Sequence, residues 1–483
     1  MQTSPDSIWI AETATGVVVA RMRAGEALLV VDRPALGRFR EKRPLAIQGD
    51  SPVVDDVALH RVSPLPSRMS EVSGWYEDDD GRVLLLTHFP EAYFGEPMIL
   101  VAEGDRVTRA YALGETRMLT EEGMFLELDD DGLRVTSDYL VTTLRRSPRF
   151  RERYVTFYAG DDQLAGTVIL PAGTGPHPAA VFLPGAAGGQ RDFGRLHVRP
   201  LLEAGVAVLL FDKAGHGFSD GTDPSIFDQA TAANAAMRLL ADLSEIDGTR
   251  IGLAGFSNGM WAAPMAAARA ETAFIAGVGA PGVSMAEAEV HRRTKVLRES
   301  GISLGTVAAV GDAWRCIFSI VGEGRSAALE ERLDRAMTVI GAAADLDAYE
   351  IPDFVRENPM LSPIPPLMPV ADLVGMLDDL RDPQVAYDPA TDYEAVGCPV
   401  FLQYGSDDTS VPVEASIERI ERAVAEAGQD VTVKVYHGLE HLLNVLPKEV
   451  VGLTPEGLMY GFHRFRYGDG VLADLTEWLR ATL

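Results

Sequence analysis

The stretch RIGLAGFSNGMWAAPMAAARA, residues 250–270, decides the fold of this chain. Its opening RIGLA is short and mainly apolar, which predicts a buried strand, and its alanine-rich end predicts a helix. Between them, Gly255-Phe-Ser257-Asn-Gly259 predicts a tight, strained turn in which the glycines make room around the serine. Such a turn lifts the Ser257 hydroxyl above the sheet. It also aims the N–H of Asn258, at the helix start, toward the position of an oxyanion.

Groups that could activate Ser257 follow it along the chain. A serine nucleophile needs a base, and the base needs a carboxylate that orients it. The segment CPVFLQYGSDDTSVP (398–412) predicts a strand that ends in two aspartates, and VTVKVYHGLEHLLN (431–444) predicts a strand followed by histidines. Both sets lie just beyond the carboxyl ends of strands, where open α/β sheets bind ligands. By itself, the pentapeptide is equally compatible with an ordinary serine in a glycine-rich turn.

An earlier loop could supply a second oxyanion donor. The segment HPAAVFLPGAAGGQRDFG, residues 177–194, predicts a strand and then a loop of glycine and alanine that exposes its backbone to a substrate carbonyl. The N–H of Ala186, which follows Pro184-Gly185, is the expected donor. The alternatives are a plain glycine-rich turn and a phosphate loop, but no G-K-[ST] follows, which excludes a Walker motif.

From about residue 154 onward the chain resembles the α/β-hydrolase superfamily, and within it the dienelactone-hydrolase-like and prolyl-oligopeptidase-like serine esterases. The segments that carry the resemblance are LAGTVILPAG (164–173), VFLPGAAGG (181–189), LLFDKAGHGFSDG (209–221), GFSNG (255–259), GSDDTSVP (405–412) and GLEHLL (438–443). The resemblance implies an α/β fold with a mostly parallel central sheet and a nucleophile elbow at Ser257. Two departures bear on the shape of the acyl pocket: Met260 and Pro184 stand where many relatives have glycine and histidine.

Two candidates exist for each partner of Ser257. Asp408 precedes Val411-Pro412 with two residues between, the spacing that many hydrolases of this fold show, whereas Asp407 could serve as a turn residue or cap. His441 lies in the loop after the last predicted strand, where the resemblance places the base, whereas His437 ends that strand. We therefore expect Ser257, His441 and Asp408 to form the catalytic triad.

Composition limits the classes of partner. The 483 residues carry 43 basic and 71 acidic side chains, a net charge of −28, which disfavours nucleic acid and anionic membranes. Two cysteines, Cys316 and Cys398, argue against a disulfide framework. The sequence shows neither a signal peptide nor an apolar run that spans a bilayer, so we expect a cytoplasmic enzyme. Neither a metal nor a cofactor is expected; the expected partner is a small acyl substrate, and a homo-oligomer is left open.

The length of the chain suggests two or three domains. Residues 1–150 contain short β-type stretches between turn clusters and predict a β-rich N-terminal domain. Residues 151–283 and 397–483 predict the two parts of the α/β-hydrolase core, because strands and helices alternate there. The expected core strands lie near 154–158, 164–170, 178–183, 206–212, 250–254, 274–280, 398–404 and 431–437.

Residues 284–396 separate two core strands by about 110 residues, far more than an ordinary crossover. Their helical stretches predict a cap inserted over the active site. We expect apolar cap residues, together with His216 from the FDKAGHG loop, to line the acyl pocket. The cap candidates are Trp314, Phe318, Met360, Leu361, Ile364 and Met368. The alternative for Trp314 and Phe318 is the cap's own core, and the alternative for His216 is a structural role in its loop.

These features together predict a serine hydrolase that cleaves a carboxylic ester through an acyl-enzyme intermediate. The alternatives on the same triad are an acylaminoacyl-type peptidase or amidase, and an acyltransferase whose cap excludes water. A catalytically silent binding protein on this fold is a further alternative, against which the order of serine, aspartate and histidine weighs.

Overall fold

The computed structural model of the protein describes residues 7–13, 16–22, 28–33, 38–44, 46–48, 51–62, 72–89, 98–129, 132–137, 140–186, 189–347, 349, 362–445 and 465–483. Met360 and Leu361, two of the predicted pocket residues, lie outside this set.

The N-terminal strands form two small sheets. Their bounds are β1 Ser7–Thr13, β2 Gly16–Met22, β3 Leu28–Arg33, β4 Arg38–Pro44, β5 Ile47–Gln48, β6 Ser51–Val54, β7 Val57–Ala58 and β8 His60–Arg61. A five-stranded sheet has the order β4-β3-β2-β1-β8, and a three-stranded sheet has the order β5-β6-β7. In β2 the run GVVVARM supplies the β-branched side chains that favour a strand.

The next eight strands close into an antiparallel barrel. Their bounds are β9 Gly74–Glu77, β10 Val83–Phe89, β11 Met98–Glu103, β12 Arg106–Ala112, β13 Arg117–Thr120, β14 Phe125–Asp129, β15 Gly132–Ser137 and β16 Leu140–Arg146. Each strand pairs with the next, and β16 pairs with β9, which removes the free edges. Alternate side chains such as Leu84, Leu86 and Leu126 pack into one buried cluster, so the barrel interior is filled.

The α/β part is built on an eight-stranded sheet with the order β17-β18-β20-β19-β21-β22-β23-β24. The bounds of its strands are β17 Arg151–Ala159, β18 Asp162–Leu170, β19 His177–Leu183, β20 Ala207–Phe211, β21 Ile246–Phe256, β22 Ile275–Val278, β23 Val400–Gly405 and β24 Val431–Tyr436. The pairs β17–β18 and β18–β20 are antiparallel, and the other five pairs are parallel. The carboxyl ends of β19 to β24 therefore share one edge of the sheet.

Helices cover both faces of this sheet. Their bounds are α1 Arg191–Gly194, α2 Arg199–Glu203, α3 Ile226–Ala241, α4 Gly259–Ala267, α5 Met285–Glu299, α6 Leu304–Glu323, α7 Ala327–Gly341, α8 Ala344–Asp347, α9 Val370–Asp378, α10 Ala390–Tyr393, α11 Val413–Glu426 and α12 Val471–Thr482. Helices α3, α4 and α11 pack into a cluster on one face, whereas α1, α2 and α12 pack on the other. Helix α3 begins at a capping box in which Ser225 and Asp228 satisfy each other's backbone N–H groups.

Helices α5 to α9 lie between β22 and β23 and have a hydrophobic cluster of their own. Among the described residues, α6 (Leu304–Glu323) is the one helix long and apolar enough to cross a membrane, judged by length and composition alone. Half of its apolar window is buried inside the protein, and buried core helices pass the same test, so this is weak evidence for a membrane span.

The barrel and the α/β part share a continuous interface. Barrel residues Trp75, Leu85 and Val107 belong to the same buried cluster as helices α1, α2 and α12. Two short strands extend this connection: β25 (Asn444–Val445) pairs with β26 (Phe465–Tyr467), and β26 pairs with β12 of the barrel. The sequence predicted residues 397–483 as core alone. The pairing of β26 with the barrel was not anticipated, because three residues carry no periodicity that reveals a partner.

An ion pair at this interface provides a test of the fold. Arg195 is 2% exposed and donates to both oxygens of Glu152 at 2.6 and 2.9 Å and to Asp192 at 2.8 Å. Arg195→Met should lower the free energy of unfolding by about 3 kcal/mol, because two carboxylates would lose a buried partner. Arg335→Met is the matched control: its ion pair with Glu331 is exposed, so a change within ~0.5 kcal/mol is expected. Urea unfolding measures both, and equal effects would contradict the assignment.

Candidate active site

Ser257 lies on a strained turn between β21 and α4. Its φ of 51° is in the left-handed region, which a residue with a side chain rarely adopts. The flanking glycines permit the turn to approach β19. A Cβ at Gly255 would lie 3.0 Å from the Leu183 carbonyl oxygen, and one at Gly259 would overlap that carbonyl. The sequence requires glycine at both positions because the elbow contacts the backbone of a neighbouring strand.

Ser257, His441 and Asp408 form one hydrogen-bonded chain. The Nε2 of His441 lies 2.8 Å from the Oγ of Ser257, and its Nδ1 lies 2.7 Å from the Oδ2 of Asp408. The other carboxylate oxygen, Oδ1, accepts the N–H groups of Ser410 and Val411 at 2.8 and 2.9 Å. With both oxygens bound, Asp408 is fixed in orientation and holds the imidazole with Nε2 toward the serine.

The two competing residues lie elsewhere. Asp407 is exposed and accepts a hydrogen bond from the Ser406 hydroxyl at 2.7 Å, and His437 is exposed at the end of β24. Asp408 is buried whereas Asp407 is exposed, and the spacing of the sequence does not reveal this difference in burial. The structure places Asp408 and His441, rather than Asp407 and His437, beside Ser257.

The electrostatics of His441 suit a general base. Burial lowers its pKa, but the Asp408 carboxylate, its hydrogen bond and the charge of Glu440 outweigh burial and raise the pKa above the ordinary value of 6.5. Burial and the nearby Asp408 charge also raise the pKa of Glu440. The imidazole is therefore a stronger base than a free histidine, which helps it to take a proton from a serine hydroxyl.

Two backbone N–H groups are available near the turn. Ala186 lies in the loop after β19, next to Gly185, and is exposed. Asn258 precedes the first residue of α4. Neither N–H has an acceptor among the described residues. The Asn258 side chain accepts a hydrogen bond from Gln229 of α3 at 3.2 Å, which holds it away from its own backbone. Both N–H groups can thus serve a ligand oxygen.

The sequence of the chain matches the model of the alpha/beta hydrolase family over residues 180–453, more than half of its length. The chain belongs to the alpha/beta hydrolase family. The match begins in β19 and includes the Ser257 turn. It also includes the loop after β23 that contains Asp408, the acid loop, and the loop after β24 that contains His441, the histidine loop. No curated protein matches this hydrolase.

Several solved structures are similar to this hydrolase at low identity. An esterase of Pyrococcus furiosus is 19% identical with a TM-score of 0.39, over 60% of this chain and 84% of that one. A dienelactone hydrolase-like promiscuous phosphotriesterase from metagenomic libraries is 14% identical with a TM-score of 0.38, over 69% and 98%. The α/β-hydrolase GrgF from a Penicillium species is 18% identical with a TM-score of 0.40, over 69% and 99%. The family assignment rests on the sequence match over residues 180–453.

Four of the predicted pocket residues, all in the stretch between β22 and β23, pack within the helical segment α5 to α9. Trp314, Phe318 and Ile364 are members of its buried cluster, and Met368 packs against that cluster. The rings of Trp314 and Phe318 stack at 5.5 Å, and the Trp314 N–H donates to the Pro363 carbonyl at 2.8 Å. For Trp314 and Phe318 this is the alternative that the sequence left open. His216 lies 3.3 Å from Asp223 in its own loop.

Two residues that the sequence analysis did not single out contact the loops that contain Asp408 and His441. Gly279, just after β22, has φ +57°, and a Cβ there would lie 2.7 Å from Cε1 of His441. Lys295 of α5 donates to the carbonyl oxygens of Asp407 and Asp408 at 2.7 and 2.9 Å, which ties the helical segment to the acid loop. The position of Gly279 at the carboxyl end of a predicted core strand could have identified it, whereas no local pattern in the sequence distinguishes Lys295. Among the described residues, no group of histidine, cysteine and acidic side chains could hold a metal ion.

The close contact between Gly279 and the His441 ring can be tested by substitution. Gly279→Ala should reduce the rate at which Ser257 reacts with a fluorophosphonate by ~10²-fold or more, because the methyl group would displace the base. Gly428→Ala is the matched control, since Gly428 has φ +70° with nothing within 4 Å of a Cβ. It carries the same backbone strain without the overlap and should react at the wild-type rate. Equal rates in the two variants would mean that the overlap has no consequence.

Proposed function

We propose that this protein is a serine hydrolase of carboxylic esters, with Ser257 as nucleophile, His441 as general base and Asp408 as the acid that orients it. The observation that carries the proposal is the continuous chain Ser257–His441–Asp408, with distances of 2.8 and 2.7 Å at the carboxyl edge of the sheet. A serine hydrogen-bonded to a histidine, which is hydrogen-bonded to a buried aspartate, catalyses acyl transfer on several unrelated folds.

The geometry supports a two-step reaction. The Ser257 Oγ attacks the ester carbonyl while His441 Nε2 takes its proton, and the N–H groups of Ala186 and Asn258 bind the tetrahedral oxyanion. His441 then gives that proton to the departing alkoxide, which leaves an acyl group on Ser257. Water then attacks the acyl group while His441 takes its proton. His441 returns this proton to the Ser257 Oγ as the acyl C–O bond breaks, which releases the carboxylic acid and restores the free serine.

We also propose that helices α5 to α9 act as a cap over this site. Two observations support it, both at the edge where the strands end. Lys295 binds the acid loop, and the side chain of Gln384, which follows α9, accepts the N–H of Ile226 at the start of α3 at 3.1 Å. The helical segment therefore contacts the acid loop through Lys295, and the stretch that follows α9 contacts the start of α3. Because its side chains pack largely on one another, it can act as a unit that admits or excludes substrate.

Replacement of the nucleophile tests the central claim. Ser257→Ala should reduce hydrolysis of p-nitrophenyl acetate by ~10⁴-fold or more and abolish labelling by a fluorophosphonate. Ser410→Ala is a control in the acid loop, because its backbone N–H, which binds Asp408, is retained. Comparison of p-nitrophenyl esters with aminoacyl anilides then separates esterase from peptidase. Wild-type turnover by the Ser257→Ala protein would remove the proposed function.

The raised pKa of His441 predicts how the rate depends on pH. The base acts when neutral, so kcat/KM for p-nitrophenyl acetate should fall as pH drops through the His441 pKa, which lies above 6.5. Glu440→Gln removes a charge that raises this pKa but leaves the triad intact, so the acid limb should move to lower pH. Asp408→Asn should move it further and reduce the rate by ~10⁴-fold. An acid limb that is unmoved in both variants would contradict the assignment of His441 as base.

A further inference from the structure

Lys213 is a buried cation that the proposed mechanism does not use. It follows β20 by two residues, in the loop FDKAGHG, and is 4% exposed. Its Nζ donates to the carbonyl oxygen of Gly185 at 2.9 Å, and its backbone N–H donates to the carbonyl oxygen of Gly189 at 2.8 Å. Both acceptors belong to the loop after β19 that contains Ala186. One residue thus holds the loop at both ends.

The buried ammonium of Lys213 donates to a backbone carbonyl oxygen, where a carboxylate would be the usual partner. The adjacent Asp212 does not serve as its partner, since the carboxylate accepts hydrogen bonds from Arg191 at 2.7 and 2.8 Å and from the Phe218 N–H at 3.0 Å. Burial lowers the pKa of Lys213 to about 8, and the charge of Asp223 opposes this. The amine is therefore mostly protonated at pH 7. Burial of an ammonium costs free energy that an apolar side chain of similar volume would avoid.

Peptide geometry connects this ammonium to Ala186. The Gly185 carbonyl and the Ala186 N–H belong to one planar peptide unit, and in a trans peptide they point in opposite directions. With the carbonyl fixed toward the buried Lys213, the N–H must point away from it. Ala186 is exposed, and its N–H has no acceptor among the described residues. A positive charge on the carbonyl oxygen also draws electron density from the peptide, which makes the N–H a stronger donor.

The same loop contacts the Ser257 turn. A Cβ at Gly185 would lie 2.8 Å from the ring of Phe256, the residue before Ser257. Gly185 therefore packs directly on the elbow, and an error in its peptide orientation would displace the expected donor relative to the nucleophile.

We infer that Lys213 is a positioning residue for acyl transfer, whose ammonium orients and polarises the Gly185–Ala186 peptide so that the Ala186 N–H stabilises the oxyanion. This inference rests on the proposed function. It extends that function by placing the Lys213 charge behind the Ala186 N–H. Removal of this charge should raise the free energy of the transition state and leave substrate binding nearly unchanged.

Lys213→Met tests the inference in the full-length protein, because methionine fills similar space without charge. We expect kcat for p-nitrophenyl acetate to fall about 10- to 30-fold, roughly half on a logarithmic scale of the ~10²–10³-fold cost of a whole oxyanion donor. KM should change less than about twofold, and inhibition by phenylboronic acid, which binds as a tetrahedral adduct, should weaken in parallel with kcat/KM. Lys213→Arg should recover part of kcat, since it restores the cation.

Lys434→Met is the matched control. Lys434 lies on β24, is about half exposed and forms an ion pair with Asp474 at 3.4 Å, so its loss should leave kcat and KM at wild-type values. Circular dichroism and the melting temperature of each variant identify any failure to fold. A Lys213→Met protein with wild-type kcat, or one that loses activity through KM alone, would overturn the inference.

A second variant keeps the test independent of packing. Ala186→Pro removes the N–H in question. In the Ala186→Pro background, Lys213→Met should lower kcat by less than about twofold, because there is no donor left to polarise. A 10- to 30-fold fall in kcat in that background would show that Lys213 acts in another way and would overturn the inference.

The two proposals fail differently. A wild-type protein in which Ser257 neither turns over the ester nor labels removes the proposed function and this inference together, whereas an active protein indifferent to Lys213→Met removes only the inference.

Discussion

The close approach of the Ser257 turn to the end of β19 is the constraint on which the site depends. Gly255 and Gly259 both lie against the Leu183 backbone, and this contact holds Ser257 in a left-handed conformation that is unfavourable by itself. The parallel pairing of β19 with β21 carries the contact, since Leu183 is paired with Gly255. The strain is thus maintained by the register of two buried strands. The next residue of the same turn, Asn258, places its N–H at the start of α4.

The histidine loop is held from two directions. On the core side, β24 precedes it, and the glycine at 405 lets the loop backbone lie against the end of β23. On the barrel side, β25 and β26 connect the end of the loop to β12, and the Leu443 carbonyl accepts the N–H of Gly468 at 2.9 Å. Leu439, Leu442 and Leu443 are buried in the cluster that includes barrel residues. The barrel therefore forms part of the support of the loop that contains His441, through the pairing of β25 with β26 and of β26 with β12.

The helical segment, α5 to α9, combines a hydrophobic cluster of its own with polar contacts to the acid loop. Its large aromatic residues stack on each other and on Arg293, whose guanidinium lies 4.2 Å from the Trp314 ring centroid. Its attachment to the acid loop uses the Lys295 ammonium and backbone carbonyl groups, which hydrogen-bond without a large apolar interface. Ala288 of α5 is also buried in the cluster of the core, so apolar contacts as well as polar ones join the segment to the sheet. Trp314 and Phe318 therefore contribute to the packing of the helical segment itself.

Local patterns in the sequence were sufficient for the elements that repeat or carry a fixed motif. The G-x-S-x-G turn between a strand and a helix, the apolar core strands and the order of serine, aspartate and histidine all follow from short-range constraints on backbone and side chain. The strand bounds differ by a few residues: β21 begins at Ile246 where the sequence predicted 250, because its first residue pairs with His177 across a register shift. Barrel closure, the addition of β26 to β12, the fit of Gly279 against His441, and the contact of Lys213 with Gly185 depended on the tertiary structure alone. Each of these joins residues far apart in the chain through only one or two residue pairs. So few contacts leave no periodicity in the sequence, because the partners meet only when the chain has folded.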